Sequence, residues 1–294
     1  MVPSFDADRE RIERRLDEIC DNYLPELPSD VANAIRYGLK SPGKRLRPLL
    51  LLYAYRAAGG REDASLLACA PEVIHAYSLM HDDLPCMDDD DMRRGRPTVH
   101  KVYGSRTAIV GGISMIPLAA AVARDSTRSM GLSDPARRTV VETLLEAGGA
   151  RGMIGGQLRD LTGEGLSLSL DDREAVHSAK TAALIVASVR IGAIAAGAAT
   201  AQIAAFDRYG SAVGLAFQIM DDVLDVTSTS SALGKTTGRD ALLGKSTYPA
   251  LLGVVGARQR AQSLIDDGLE MLAQQQLLTQ ELSQVANFMV TRTS

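Results

Sequence analysis

The chain of 294 residues has no tryptophan, four phenylalanines and four histidines. Single-stranded nucleic acid would find few rings to stack on. The net charge of −4, with acids and bases interspersed, offers no basic face either, so no nucleic-acid partner is expected. Only three cysteines are present, Cys20, Cys69 and Cys86. Their odd number and wide spacing exclude a CxxC zinc site and a secreted disulfide framework, and a reducing, cytoplasmic setting is the expectation. The N-terminus is charged and helix-patterned, unlike a signal peptide. Long uncharged apolar runs are scarce. The most apolar stretch, 183–206, carries Arg190 and is rich in alanine and glycine, so a buried helix pair is expected there and no membrane span. Alternating strand-like patterns are nearly absent.

What is present is helical periodicity. Apolar residues make up 46% of the chain, enough to fill a large core. Ile12, Leu16, Ile19 and Tyr23 are spaced as one helix face. Comparable runs recur near 30–40, 44–59, 64–84, 101–130, 135–162, 172–199, 202–227 and 258–292. They are separated by "GG" at 59–60, "SDP" at 133–135 and "TGEG" at 162–165. Ser133 or Asp134, ahead of Pro135, is a capping residue with proline in the first turn. The expectation is a single all-α domain over residues 1–294, with about ten helices. The polar segment 228–247, carrying Lys235, Arg239 and Lys245, reads as a loop of the kind that carries function.

Six aspartates crowd into residues 82–91, followed by Arg93, Arg94 and Arg96. Carboxylates at contact distance repel by roughly 1 kcal/mol per pair even in bulk water, and by more where water is excluded. A second cluster, "FQIMDDVLD", places Asp221 and Asp225 one turn apart in an otherwise apolar stretch. A solvated helix face is the ordinary explanation. It is weakened by the like charges at this spacing, with no lysine or arginine nearby to offset them. An EF-hand fails: with Asp88 first, Arg93 stands where the turn needs glycine and Val99 where glutamate belongs. Oxygen-rich, unclosed clusters suit magnesium, which takes one or two carboxylates plus water and substrate phosphate. Two such half-sites could hold a diphosphate between metal ions, with the flanking arginines and lysines gripping the anion.

Six segments in order carry a resemblance: "SPGKRLRP" at 41–48, "DDLPCMDDDDMRRGRPTVH" from Asp82, "GGQLRDL" at 155–161, "KTAALI" at 180–185, "FQIMDDVLD" at 217–225 and the stretch from "LGKTTGRD" on. Together they make the chain resemble the trans-isoprenyl diphosphate synthases, over nearly its whole length. The resemblance implies an all-α bundle around a central cavity, a homodimer, and Mg-dependent head-to-tail condensation of isopentenyl diphosphate with an allylic diphosphate. About three magnesium ions per site are implied, acting as Lewis acids.

Metal ligation is carried over to Asp82, Asp83 and Asp88 on one side and Asp221, Asp222 and Asp225 on the other. Arg93, Lys180 and Lys235 would grip the allylic diphosphate. Lys44, Arg47, His75 and Arg94 would hold isopentenyl diphosphate. Without the resemblance, Lys44, Arg45 and Arg47 could be a solvated helix start, and His75 a core histidine. Positive charge at a helix N-terminus opposes the helix dipole, which favours a bound anion instead. Thr181 and Gln218 would flank the reacting carbons, and Lys245 would close over the diphosphate. Tyr77 and Ser78, five and four residues before Asp82, would set chain length. Tyr77 and the "LPCM" insertion resemble enzymes making the fifteen-carbon farnesyl product. The twenty-carbon geranylgeranyl product is the alternative, and a terpene cyclase the more distant one. One departure is "VGGISM" at 110–115, with Ile113 where relatives carry an acid. That helix borders the cavity in the family, so altered packing or product length is implied, with Met115 or Ile116 in the wall.

Overall fold

Apolar residues at helical spacing need a partner surface, and this chain provides one by packing helix on helix. The computed structural model describes residues 5–162, 178–227 and 247–292. First come α1 (Asp6–Tyr23), α2 (Ser29–Leu39), α3 (Leu46–Ala57) and α4 (Ser65–Asp82). A hairpin follows, with β1 (Met92–Arg93) antiparallel to β2 (Arg96–Pro97). Next are α5 (Val99–Tyr103), α6 (Ser105–Ser129), α7 (Asp134–Gly148) and α8 (Met153–Thr162). A π-turn at Ser178–Ala182 leads into α9 (Ala183–Ala195), then α10 (Thr200–Thr227), α11 (Tyr248–Gln274) and α12 (Gln280–Thr291). α10 packs along α11 and α4 along α6, while α9 lies against α3, α7 and α10. The all-α expectation holds. Its exception among the described residues is the small hairpin, whose turn residues Arg94 and Gly95 both have positive φ, as a type I′ turn requires.

The local rules are visible in the elements. Ile12, Leu16 and Ile19 are fully buried, while Tyr23 is half-buried and its hydroxyl donates to Asp125. Ser133 caps α7, its Oγ accepting from the Ala136 amide. The apolar stretch 183–206 is the expected helix pair, turned at Gly197 and joined by an ion pair from Arg190 to Asp207. Three runs break differently from the pattern. Gly104, at φ +82°, divides the 101–130 run into α5 and α6. Gln276, at φ +57°, helps end α11 where no glycine or proline marks a stop. α3 starts only at Leu46, because Arg45 sits in the left-handed region at φ +51°. α6 is long and apolar enough to cross a membrane by length and composition, yet it packs on α2, α4 and α7. Ile113 is 55% exposed on its outer side, whereas Met115 is fully buried and Ile116 half-buried. The departure at 113 is thus on the outside of the bundle, and not in a cavity wall.

Candidate active site

The first aspartate cluster is shaped by the end of α4. The helix stops at Asp82, three residues before Pro85, as that proline predicts. The chain then loops through "LPCM" and returns, the Asp88 amide donating to the Asp82 carbonyl at 2.9 Å. The insertion therefore brings Asp88 back beside Asp82 instead of carrying it away. Burial pushes the Asp82 carboxyl up to about 7; Asp88 and Asp83 add to the rise, while Lys180 and Arg93 oppose it. Burial likewise raises Asp83 to about 6, although Arg93 Nε donates to it at 2.5 Å. A second Arg93 nitrogen reaches Asp90 at 3.3 Å.

The second cluster lies on α10. Asp221 is half-exposed, Asp222 is 1% exposed and Asp225 is buried. Asp221 and Asp225 thus share a helix face but not a depth. Asp222 accepts from the Tyr248 amide at 3.1 Å and from Gln218 Nε2 at 3.3 Å. That leaves Gln218 Oε1 to accept from the Thr181 hydroxyl at 3.0 Å, which fixes the amide's orientation. Asp222 therefore ties α10 to the start of α11. Lys180 and Thr181 occupy the π-turn, and Lys180 Nζ donates to Asp160 on α8 at 2.6 Å. The turn is clasped between two glycines. A Cβ at Gly156 would lie 2.3 Å from the Lys180 nitrogen, and one at Gly214 would lie 2.6 Å from Ala182 Cα.

The cations form a separate group. Arg47 and His75 are half-buried, while Lys44 and Arg94 stand exposed at the edge of the same group. Burial lowers Arg47 to about 10, with Arg94 lowering it further. Arg94 is lowered by burial and then by Arg45 and Arg93. His75 falls well below its ordinary value through burial and the fields of Arg47, Arg94, Arg93 and Arg45. Lys44, over the Phe288 ring at 5.3 Å, is lowered by burial and by Arg292 and Arg94, against the pull of Asp221. Arg47 Nε is buried without a hydrogen-bond partner. Arg94 reaches back to the Pro42 carbonyl at 2.8 Å, pinning the hairpin to the 41–45 loop.

Arg45 corrects the grouping made from sequence. It is 3% exposed, and its guanidinium donates to Glu72 and Glu13, each at 2.7 Å, and to the carbonyls of Leu39 and Ser41. Its charge is fully used in shaping the loop, and no ligand is needed to explain it.

The two groups meet. Asp221 lies within the fields of Lys44 and Arg47, and Arg93 acts on both His75 and Asp82. Tyr77 and Ser78 are buried on α4; the Tyr77 ring sits edge-on to His81 at 4.8 Å, and Ser78 Oγ donates to the His75 carbonyl. Lys235 and Lys245 lie outside the described residues. Sequence reasoning assigned no role to Asp160 or Gln157, although both stand in the quoted "GGQLRDL". It also missed Arg292, which pairs with Asp221, donates to the Phe217 carbonyl and stacks on the Phe217 ring at 4.1 Å. Only its position at the end of an amphipathic helix could have hinted at it.

Among the described residues, three metal-capable donor atoms come within 4.8 Å of one another only at Asp89, Asp91 and His100, a group that includes none of the ligands inferred from sequence. Neither predicted triad closes into a cage. Open, oxygen-only carboxylate groups fit magnesium, which completes its shell with water and phosphate.

A group of carboxylates beside a group of cations is the arrangement the sequence motifs imply. The sequence also matches the polyprenyl synthetase family over residues 28–286. The chain belongs to that family. Among polyprenyl synthetase relatives, it is 41% identical to the farnesyl diphosphate synthase of Escherichia coli, covering 98% of this chain and 99% of that one. It is 43% identical to the chloroplastic geranylgeranyl pyrophosphate synthase of Catharanthus roseus, over 86% of this chain and 71% of the relative. The fold resembles the crystal structure of a Helicobacter pylori geranyltransferase complexed with magnesium and isoprenyl diphosphate. That likeness has a TM-score of 0.81 at 30% identity, covering 98% of this chain and 97% of that one.

Proposed function

We infer that the protein is a prenyltransferase that condenses isopentenyl diphosphate head-to-tail with dimethylallyl and then geranyl diphosphate, giving farnesyl diphosphate. The observation that carries this is geometric: the chain folds Asp88 back onto Asp82, and beside them Arg47 Nε is buried without an acceptor; the opposite disturbance of the two groups agrees with it. The Asp82 and Asp83 carboxyls are pushed up, while Arg47, Arg94, Lys44 and His75 are pushed down. A metal-bound diphosphate satisfies the first set and a metal-free diphosphate the second.

In this reading Asp82, Asp83 and Asp88, with Asp221 and Asp225 opposite, hold magnesium, about three ions by family resemblance. When bound, magnesium supplies charge neutralisation to the departing diphosphate. Asp222 supports this from behind by orienting Gln218. Arg93 and Lys180 grip the allylic diphosphate, joined by Lys235 and Lys245 from the segment before α11. Lys44, Arg47, His75 and Arg94 hold isopentenyl diphosphate, so that its double bond faces the allylic carbon. The oxygens of Thr181 and Gln218 present fixed dipoles to the allylic cation without trapping it. The proton lost after carbon–carbon bond formation passes to the released diphosphate. The buried ring of Tyr77 closes the floor. A homodimer belongs to the same reading, the exposed Ile109, Val110 and Ile113 of α6 being the apolar face a second copy would cover.

Incubation with magnesium, isopentenyl and dimethylallyl diphosphates tests this, with mass analysis of the alcohols after phosphatase treatment. A fifteen-carbon product is expected, and Tyr77→Ala should lengthen it. Absence of condensation with both dimethylallyl and geranyl diphosphate would refute the activity. An unchanged product from the Tyr77 variant would remove that ring as the floor.

A further inference from the structure

Gln157 is a buried polar side chain whose hydrogen-bonding groups are unused. It is 7% exposed, and both its Oε1 and its Nε2 are buried with no hydrogen-bond partner. A buried carboxamide unsatisfied at both ends weakens a fold, and methionine or leucine would fill the same space without that cost. Its position indicates what completes it. Gln157 follows Gly156, where α8 meets the Lys180 backbone too closely for a Cβ. One turn later on the same helix face stands Asp160, bonded to Lys180 Nζ. Lys180 in turn acts electrostatically on Asp82. The carboxamide therefore belongs to the acidic half of the site, away from the cations around Arg47.

We propose that Gln157 contacts the allylic diphosphate, its Nε2–H donating to a diphosphate oxygen and its Oε1 accepting from water that enters with the ligand. This rests on the prenyltransferase reading above. A neutral amide is suited to this contact, because it orients the leaving group beside Lys180 without adding charge to a region already crowded with ions.

The experiment compares wild type with Gln157→Met and Gln157→Glu. Thermal unfolding is measured without ligand. Calorimetric titrations then use magnesium with a non-reactive dimethylallyl thiolodiphosphate and, separately, isopentenyl diphosphate. Ligand-free Gln157→Met should melt no lower than wild type, because two unsatisfied atoms are removed. Its affinity for the allylic analogue should fall about ten- to hundredfold, the usual weight of a hydrogen bond to a charged group. Affinity for isopentenyl diphosphate should stay within about twofold, since Gln157 does not belong to that half. Gln157→Glu, of the same size but negatively charged, should bind the analogue more weakly still, and it carries the test should the methionine variant fold poorly. Unchanged analogue affinity in the variants would overturn the proposal. Failure of wild type itself to bind the analogue would instead overturn the prenyltransferase reading.

Discussion

The carboxylates at the end of α4 and the cations around Arg47 share one site, yet burial disturbs them in opposite senses. Asp82 is driven toward protonation although Lys180 and Arg93 oppose it, and Arg47 toward deprotonation although Glu72 and Asp221 oppose it. Arg45 stands two residues before Arg47, and its guanidinium is saturated by Glu13, Glu72 and two carbonyls. The fold can pair a buried arginine when pairing is useful to it. That it leaves Arg47 Nε without an acceptor points to the ligand as the missing counter-charge.

The contrast can be broken at either half. Asp82→Asn should lower kcat/KM by roughly three orders of magnitude, equivalent to several kcal/mol of charge stabilisation, with isopentenyl diphosphate binding little changed. A loss confined to KM for isopentenyl diphosphate would merge the two halves. Arg47→Met should raise KM for isopentenyl diphosphate about ten- to hundredfold, with a smaller change in kcat. It should not lower the melting temperature, because a buried donor without an acceptor is removed. A variant that loses stability and keeps its KM would make Arg47 a structural residue like Arg45.

The smallest effect concerns pH. His75 has a folded pKa well below its unfolded value of 6.5. Above that value both states are neutral and pH has no effect through this group. Below it the unfolded chain takes up a proton that the folded chain refuses, so stability falls with pH, by at most about 1.4 kcal/mol per unit. His75→Asn should remove this component. Chemical denaturation of both proteins between pH 7 and pH 5 measures the difference, and parallel curves would show that His75 titrates normally.

Much of this site was readable in the sequence because its chemistry is local. Asp82 and Asp88 are six positions apart and are rejoined by a turn whose proline and insertion are visible in "LPCM". Asp221 and Asp225 are placed by helical spacing alone. The division between Arg45 and Arg47 was not readable, since both lie in "GKRLRP". It depends on a left-handed φ at Arg45 and on Glu72, which comes from another helix. Arg292 was hidden for the same reason: its partner stands 71 residues away. The breaks at Gly104 and Gln276 show the complementary limit, because periodicity marks apolar faces and not the angle at which a chain leaves them.

The clasp around Lys180 carries a genetic consequence. Gly156 and Gly214 bear no charge and make no hydrogen bond to substrate through a side chain, yet each leaves room for a neighbouring main chain that one methyl group would displace. Alanine at either position would shift the whole turn and misaim its ammonium and hydroxyl together. Such alleles would look like chemistry-deficient mutants in a screen while retaining every ionisable group, and a suppressor would have to restore space rather than charge.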